Sequence, residues 1–377
     1  MKRLSICIIT PTFPPECASG GGIYSYEIAQ RLANRNHRVQ IITTIRNASC
    51  YENSNIKVHS VKSGDLFYFP FLAWQKFRKE IKEPVDILHG NHIYHWLFCL
   101  KKPKNIKKII TTSHNSYIQR FYFYSFWRKI SYPPLILLEQ LVYSKSSQII
   151  AVSEFTKFFI LKYFNTRDKI TLIPNGVNEK IFSPKVQPEN FLKEKFNLNP
   201  QTKIVLFVGR LDQNKNLFPI IKSFKLISKL NIHFIILGKG ELKKKLVDLV
   251  YKLGLEKKIH FLNAIPYKKM PLVYRSADSF ILLSRSEGLP LALLEAASSG
   301  LPLIASQNAT GHTDIIKEGI NGFVVKDRDV QNIASKIIQA TNKSKEMGEK
   351  SRDIIINKYT WDKCFINTER IYQKALE

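Results

Sequence analysis

Two glutamates, Glu287 and Glu295, stand in Ser-Arg-Ser-Glu-Gly-Leu-Pro-Leu-Ala-Leu-Leu-Glu-Ala-Ala-Ser-Ser-Gly-Leu-Pro (284–302). The first closes an apolar, strand-like run at 279–283. Pro290 marks where a helix should begin and Gly300 where it should stop. This spacing predicts one carboxylate at the mouth of a strand-to-helix loop and the other about two turns inside the helix, roughly 12 Å further along. An extended ligand with hydroxyls at both ends, such as a nucleotide joined to a sugar, suits that separation. A helical glutamate between Leu294 and Ala296 also reads as a solvated position. The pair alone leaves both readings open.

Cations stand at comparable places. The run 204–208 leads into Gly209-Arg210-Leu211-Asp212-Gln213-Asn214-Lys215, so Arg210 and Lys215 occupy the loop at a strand's carboxyl end. There a rigid guanidinium fork and a point charge can converge on a diphosphate. Solvated surface charge is the alternative for any one lysine in so basic a chain. Gly238, Lys239 and Gly240 hold the equivalent place after the next strand and are weaker nucleotide-site candidates.

In the first half, Gly20-Gly21-Gly22 follows the first strand and precedes a helical pattern at 23–35. A glycine-rich turn there lets backbone amides approach an anion, although a flexible surface turn fits equally. No G-x-G-x-x-G appears, which disfavours a tightly held dinucleotide. Thr111-Thr112-Ser113-His114-Asn115 ends another strand, placing His114 to bond a sugar hydroxyl or assist proton movement; a structural histidine fits as well. His89, His92 and His95 lack Cys or carboxylate partners at ligand spacing, so no zinc site is expected. Asp327-Arg328-Asp329 matches a metal-holding D-x-D, but it precedes a helical pattern and reads better as a cap. No metal and no cofactor are expected.

The chain has 377 residues, 44% of them apolar and 23% charged, as in a globular protein. No apolar run is long enough for a spanning helix, and the basic start leads into a strand rather than a signal peptide. Cysteines at 7, 17, 50, 99 and 364 show no paired spacing and read as reduced thiols of a cytoplasmic protein. The formal charge is +28. Segment 101–169 carries 13 Lys/Arg against Glu139, Glu154 and Asp168, together with Tyr117, Phe121, Tyr122, Phe123, Tyr124, Phe126, Trp127 and Tyr132. Basic charge with aromatics suits an anionic membrane surface on the inner face of the plasma membrane. Nucleic acid is the less favoured partner, because no recognised nucleic-acid module appears.

Strand-like runs fall at 4–9, 39–43, 56–61, 87–89, 108–112, 148–152 and 170–173, then at 204–208, 233–237, 260–262, 279–283, 303–305 and 322–325. Helix-length stretches separate them, which predicts an α/β protein with parallel sheets. The expected fold is two doubly wound Rossmann-like domains in tandem, 1–175 and 203–358, with an interdomain cleft. Residues 176–202 read as a linker with a short helix at 191–196. Residues 359–377 read as a terminal helix anchored by Trp361 and packing back across the cleft.

These residues together resemble the retaining glycosyltransferases of family 4, the group 1 transferases with the GT-B fold, over nearly the whole chain. Val208-Gly209-Arg210-Leu211 with Lys215 is similar to the family's VGR…K element. Glu287 and Glu295 are similar to its paired glutamates, and Pro174-Asn175-Gly176-Val177 to its linker entry. Gly20–Gly22 and Thr111–His114 are similar to its amino-terminal glycine loop and T-x-x-H segment. Gly311-His312-Thr313-Asp314 departs from the usual Gly-Gly followed by Glu.

The resemblance implies transfer of a hexose-type sugar from a nucleoside-diphosphate sugar, with retention, to a glycan or polyprenyl-linked acceptor bound by the first domain. It implies that Glu287, with the amides of Gly288 and Leu289, holds the donor sugar and that Glu295 takes the ribose hydroxyls. Arg210 and Lys215 would neutralise the diphosphate and His114 would line the sugar pocket, with Gly21, Gly22, Gly238 and Gly240 beside the donor. A nucleotide-sugar epimerase, or a non-catalytic membrane- or RNA-binding protein, stays as the alternative.

Overall fold

The computed structural model describes residues 3–14, 19–44, 55–62, 68–123, 131–184, 189–307 and 311–377. Cys17, Cys50, Tyr124, Phe126 and Trp127 lie outside them. The chain divides into two compact units, Met1–Asn175 with Trp361–Glu377, and Gly176–Thr360.

The first unit holds a seven-stranded parallel sheet ordered β3-β2-β1-β4-β5-β6-β7. Its strands are β1 (Ser5–Ile9), β2 (Arg38–Thr43), β3 (Ile56–Ser60), β4 (Val85–Asn91), β5 (Ile106–Ser113), β6 (Gln148–Ala151) and β7 (Ile170–Leu172). The second holds a six-stranded sheet ordered β10-β9-β8-β11-β12-β13. Its strands are β8 (Lys203–Val208), β9 (Ile232–Leu237), β10 (Ile259–Leu262), β11 (Ser279–Leu282), β12 (Leu303–Ser306) and β13 (Gly322–Val325). Every predicted strand-like run is a strand. Central strands covered on both faces need apolar side chains on both, which is why they read as unbroken runs. Ile204, Val205, Leu206 and Phe207 of β8 are all buried, each contributing roughly 1.5–3 kcal/mol of burial. In both sheets the order reverses beside the first strand, between β1 and β4 and between β8 and β11. Loops diverge at such a switch point and leave room for a ligand at the strands' carboxyl ends.

Two features differ from expectation, the linker and the glycine turn. Residues 176–202, read as a linker, lie inside the second unit. Phe182 is buried there, and its carbonyl accepts from Ser298 Oγ and Arg352 Nη1. The Pro- and Asn-rich composition that suggested a linker is a turn-rich strap instead, with its short helix at Phe191–Lys195. The terminal helix, Trp361–Leu376, belongs to the first unit. Its Trp361 is buried, its Glu369 meets Arg35 and His37, and its Tyr372 hydroxyl bonds His89 Nδ1. The three glycines do not form a loop: helix Gly20–Asn34 begins on them. Ser19 caps that helix by accepting from Gly22 N, which gives one of its orphan amides a partner.

Candidate active site

In the second unit the polar residues collect at the carboxyl ends of β8 and β11, the two strands that flank the switch point. Lys215 ends a short 3-10 turn, Gln213–Lys215, capped by Asp212, whose carboxylate accepts from Asn214 N and Lys215 N. Lys215 Nζ donates to Glu287 Oε1 at 2.6 Å, with the two side chains only 12% and 18% exposed. Asn214 Nδ2 donates to the same oxygen at 3.0 Å and to Ser286 O, while its Oδ1 accepts from Ser286 N. Burial pushes the Glu287 carboxyl up, but the charge and hydrogen bond of Lys215, with smaller help from Ser284 and His312, together hold the group below its ordinary range. Glu287 is therefore an ionised carboxylate of fixed orientation.

Arg210 does not join this pair. Its side chain is 77% exposed and reaches Asp212 at 3.2 Å. The two cations read together in the sequence thus occupy different environments: one is locked to an acid, the other extends into solvent.

Glu295 lies in helix Leu291–Ser298, just over one turn from its start rather than two. Pro290 takes the N-cap position, and residues 287–290 before it are not helical, which shortens the expected offset. The carboxylate is buried. Tyr267 donates to Oε1 at 2.7 Å and Tyr274 to Oε2 at 2.8 Å. Burial pushes its pKa up to about 7, against the pull of the two tyrosine hydroxyls. A carboxyl poised there, with one donor partly exposed (Tyr267, 40%), can exchange a tyrosine hydroxyl for another donor at small cost.

Gly238 and Gly240 are needed for a backbone reason. A Cβ on either would collide with a carbonyl oxygen, Gly209 O or Leu211 O, because the loop after β9 packs on the loop after β8. Gly311 N donates to Glu287 O at 3.4 Å, so the divergent 311–314 turn, a 3-10 helix, still buttresses the glutamate loop. His312 is buried, donates from Nε2 to Ser306 O at 2.8 Å, and is held down to about 4 chiefly by burial. Asp329 caps helix Val330–Asn342 by accepting from Asn332 N at 2.9 Å, as read from the sequence.

In the first unit, His114 follows β5 and stands beside Gly21 and Asn91. Its Nε2 lies 3.3 Å from Asn91 Oδ1, its ring 4.8 Å from Tyr24 and 5.3 Å from His92. Burial holds its pKa down to about 3, so the imidazole is neutral at physiological pH. The three neighbouring histidines are dispersed by role. His89 bonds Thr112 and Tyr372, and His95 bonds Thr111. His92 adopts a left-handed φ of 49° at the end of β4, with its N donating to Thr112 O. That conformation is uncommon for a residue other than glycine and marks a constrained spot.

Sequence reasoning missed Asn91, Asn214, Tyr267 and Tyr274. Asn91 and Asn214 do sit at strand ends, which was a usable signal. Neither tyrosine carries any local mark of its contact with a carboxylate 21 or 28 positions away.

Residues 18–180 match the family described as Glycosyltransferase Family 4, and residues 188–361 match Glycosyl transferases group 1. The chain is a glycosyltransferase. It is 28% identical over 393 residues to an uncharacterized glycosyltransferase of Methanocaldococcus jannaschii, covering 99% of each. It is 31% identical over 199 residues, half of each chain, to UDP-Gal:alpha-D-GlcNAc-diphosphoundecaprenol alpha-1,3-galactosyltransferase of Escherichia coli. HepE of Anabaena, solved in complex with UDP-glucose, shares the fold with a TM-score of 0.78 at 16% identity, covering 99% of each chain. This glycosyltransferase therefore has the expected two-domain α/β architecture. Among its described residues, no helix is long and apolar enough to cross a membrane.

Proposed function

We propose that this glycosyltransferase moves a hexose-type sugar from a nucleoside-diphosphate sugar to a glycan or polyprenyl-linked glycan acceptor, with retention of configuration. The observation that carries this reading is the Lys215–Glu287 pair at the β8–β11 switch point, with the protonatable Glu295 in the helix that follows. Glu287 and the amides of Gly288 and Leu289 hold the donor sugar, and Glu295 receives the ribose hydroxyls. Arg210 and Lys215 face the diphosphate. HepE's complex with UDP-glucose and the diphosphoundecaprenol-linked acceptor of the Escherichia coli relative support a uridine donor and a lipid-linked acceptor.

In the transfer step the bond from the anomeric carbon to the diphosphate oxygen breaks and its electron pair stays on the phosphate. The acceptor hydroxyl forms the new bond on the same face, and its proton passes to the departing phosphate. Preorganised cations and amides stabilise the growing charge without a metal.

A second reading concerns location. Tyr122, Phe158 and Tyr163 are exposed on helices Tyr117–Phe123 and Glu154–Tyr163, and Lys162 lies over the Phe158 and Tyr163 rings. This basic-aromatic face suits an anionic bilayer on the inner side of the plasma membrane.

The deciding experiment incubates the full chain with UDP-, GDP- and ADP-sugars, with and without a polyprenyl-diphosphate-linked sugar. Transfer only with acceptor, giving the donor's anomeric configuration by NMR, is expected. Donor converted to another sugar without acceptor would establish the epimerase alternative. Co-sedimentation with anionic but not zwitterionic vesicles checks the second reading.

A further inference from the structure

The immediate surroundings of His114 determine which of its nitrogens carries the proton. Asn91 Nδ2 lies 3.2 Å from Gly21 O and within reach of Ser25 Oγ and Thr10 Oγ1. A carbonyl oxygen only accepts, so the amide nitrogen of Asn91 must face Gly21, and the amide oxygen must face His114. That oxygen, 3.3 Å from Nε2, also only accepts. The proton of the neutral imidazole therefore sits on Nε2, and Nδ1 keeps its lone pair.

The ring is held in place. Tyr24 packs edge-on against it and is itself tied to Thr112 Oγ1. His92 meets it from elsewhere, with its own backbone anchored to Thr112 O. The Cδ2–Nε2 edge looks toward Gly21, where an added Cβ would sit 3.7 and 3.8 Å from those atoms. Nδ1 lies on the other side of the ring and has no hydrogen-bond partner among the described residues.

We propose that Asn91 is a positioning residue that holds His114 as the Nε2–H tautomer, presenting Nδ1 as the acceptor for a substrate hydroxyl. The substrate half of this proposal rests on the glycosyl-transfer reading; the tautomer half does not. His114 is then an acceptor that orients a hydroxyl and stays unprotonated, consistent with a pKa lowered by burial.

The test uses the full chain with 15N-labelled histidine and long-range proton–nitrogen NMR at neutral pH. The His114 signals should show a protonated ε2 and a bare δ1 nitrogen in the wild type. Asn91→Ala should give a tautomer mixture, with kcat down about tenfold or more, a wrong tautomer being costly, and the donor KM changed less than about twofold. A protonated δ1 in the wild type, or an unchanged spectrum in Asn91→Ala, would overturn the role of Asn91. The wild-type spectrum decides the tautomer even if that variant does not fold; Asn91→Asp, whose carboxylate oxygen also only accepts, should keep the proton on ε2, and a δ1 proton there would overturn the role of Asn91.

For Nδ1 itself, His114→Asn puts an amide oxygen where δ1 was, whereas His114→Gln reaches the ε2 position. Asn should retain about tenfold more kcat than Gln; the reverse order overturns the assignment of Nδ1 to the substrate. No transfer from any nucleotide sugar would overturn the function and the substrate half together, leaving the spectrum to judge the tautomer.

Discussion

Lys215 Nζ donates to Glu287 Oε1 across 2.6 Å, joining the loop after β8 to the loop after β11. Asn214 donates to the same oxygen and clamps the backbone of Ser286 from both sides. The carboxylate thus has its charge and direction before any substrate arrives. Preorganisation of this kind is what makes electrostatic stabilisation effective, because nothing has to reorient as charge develops.

Lys215→Met should damage folding and turnover together. It leaves the Glu287 carboxylate largely buried without its cation, a loss of about 3 kcal/mol by analogy with broken buried pairs. Thermal unfolding and transfer assays on the same sample measure both. An unchanged melting temperature would mean that the pair is not formed in solution.

Arg210→Ala should behave differently, because that guanidinium is mostly in solvent. The melting temperature should stay put, as for most surface substitutions. Affinity for a nucleoside diphosphate should fall by about 1.5 kcal/mol, the scale of one charged hydrogen bond. Calorimetric titration with UDP reads this directly, and unaltered affinity would remove Arg210 from the diphosphate site.

The ribose contact proposed for Glu295 predicts pH-dependent nucleotide binding. Its pKa of about 7 lies above the ordinary value of 4.5, so the folded protein holds this proton more tightly than the unfolded chain does. Stability from this group is complete below about pH 4.5 and is lost as pH rises through about 7. Nucleotide affinity should move the other way, rising over the same window as the carboxylate proposed to accept ribose hydroxyls forms. Glu295→Gln should flatten that rise, and Glu295→Ala should weaken binding by about 1.5–3 kcal/mol. UDP titrations from pH 5.5 to 8 in the wild type and both variants provide the check; parallel curves would disprove the ribose contact.

Tyr267→Phe removes one of two hydroxyls that favour the ionised form of Glu295. The midpoint of the pH-dependent binding should therefore shift upward relative to the wild type. A downward shift in the same titrations would show that the tyrosine hydroxyl does not stabilise the carboxylate.

Transfer should survive a chelator. Asp329 is engaged as a helix cap, and the cations proposed for the diphosphate belong to the chain itself. Strict loss of activity in EDTA, restored by a divalent ion, would return the 327–329 carboxylates to consideration.

All thirteen strands among the described residues, the cap at Asp329 and the strand-end positions of Arg210, Lys215, Glu287 and His114 were legible in the sequence alone. These follow from short-range physics: apolar runs that suit a sheet covered on both faces, and turn or capping residues acting within a few positions. The pairings were not legible. Lys215 meets Glu287 across 72 positions, Tyr267 and Tyr274 meet Glu295 across 28 and 21, and Asn91 meets His114 across 23. The Lys215–Glu287 contact exists because β8 and β11 are neighbours in the sheet, an adjacency that no local pattern encodes. Tertiary structure therefore decided which of two loop cations neutralises the glutamate, and which acid stays poised near neutrality behind its tyrosines.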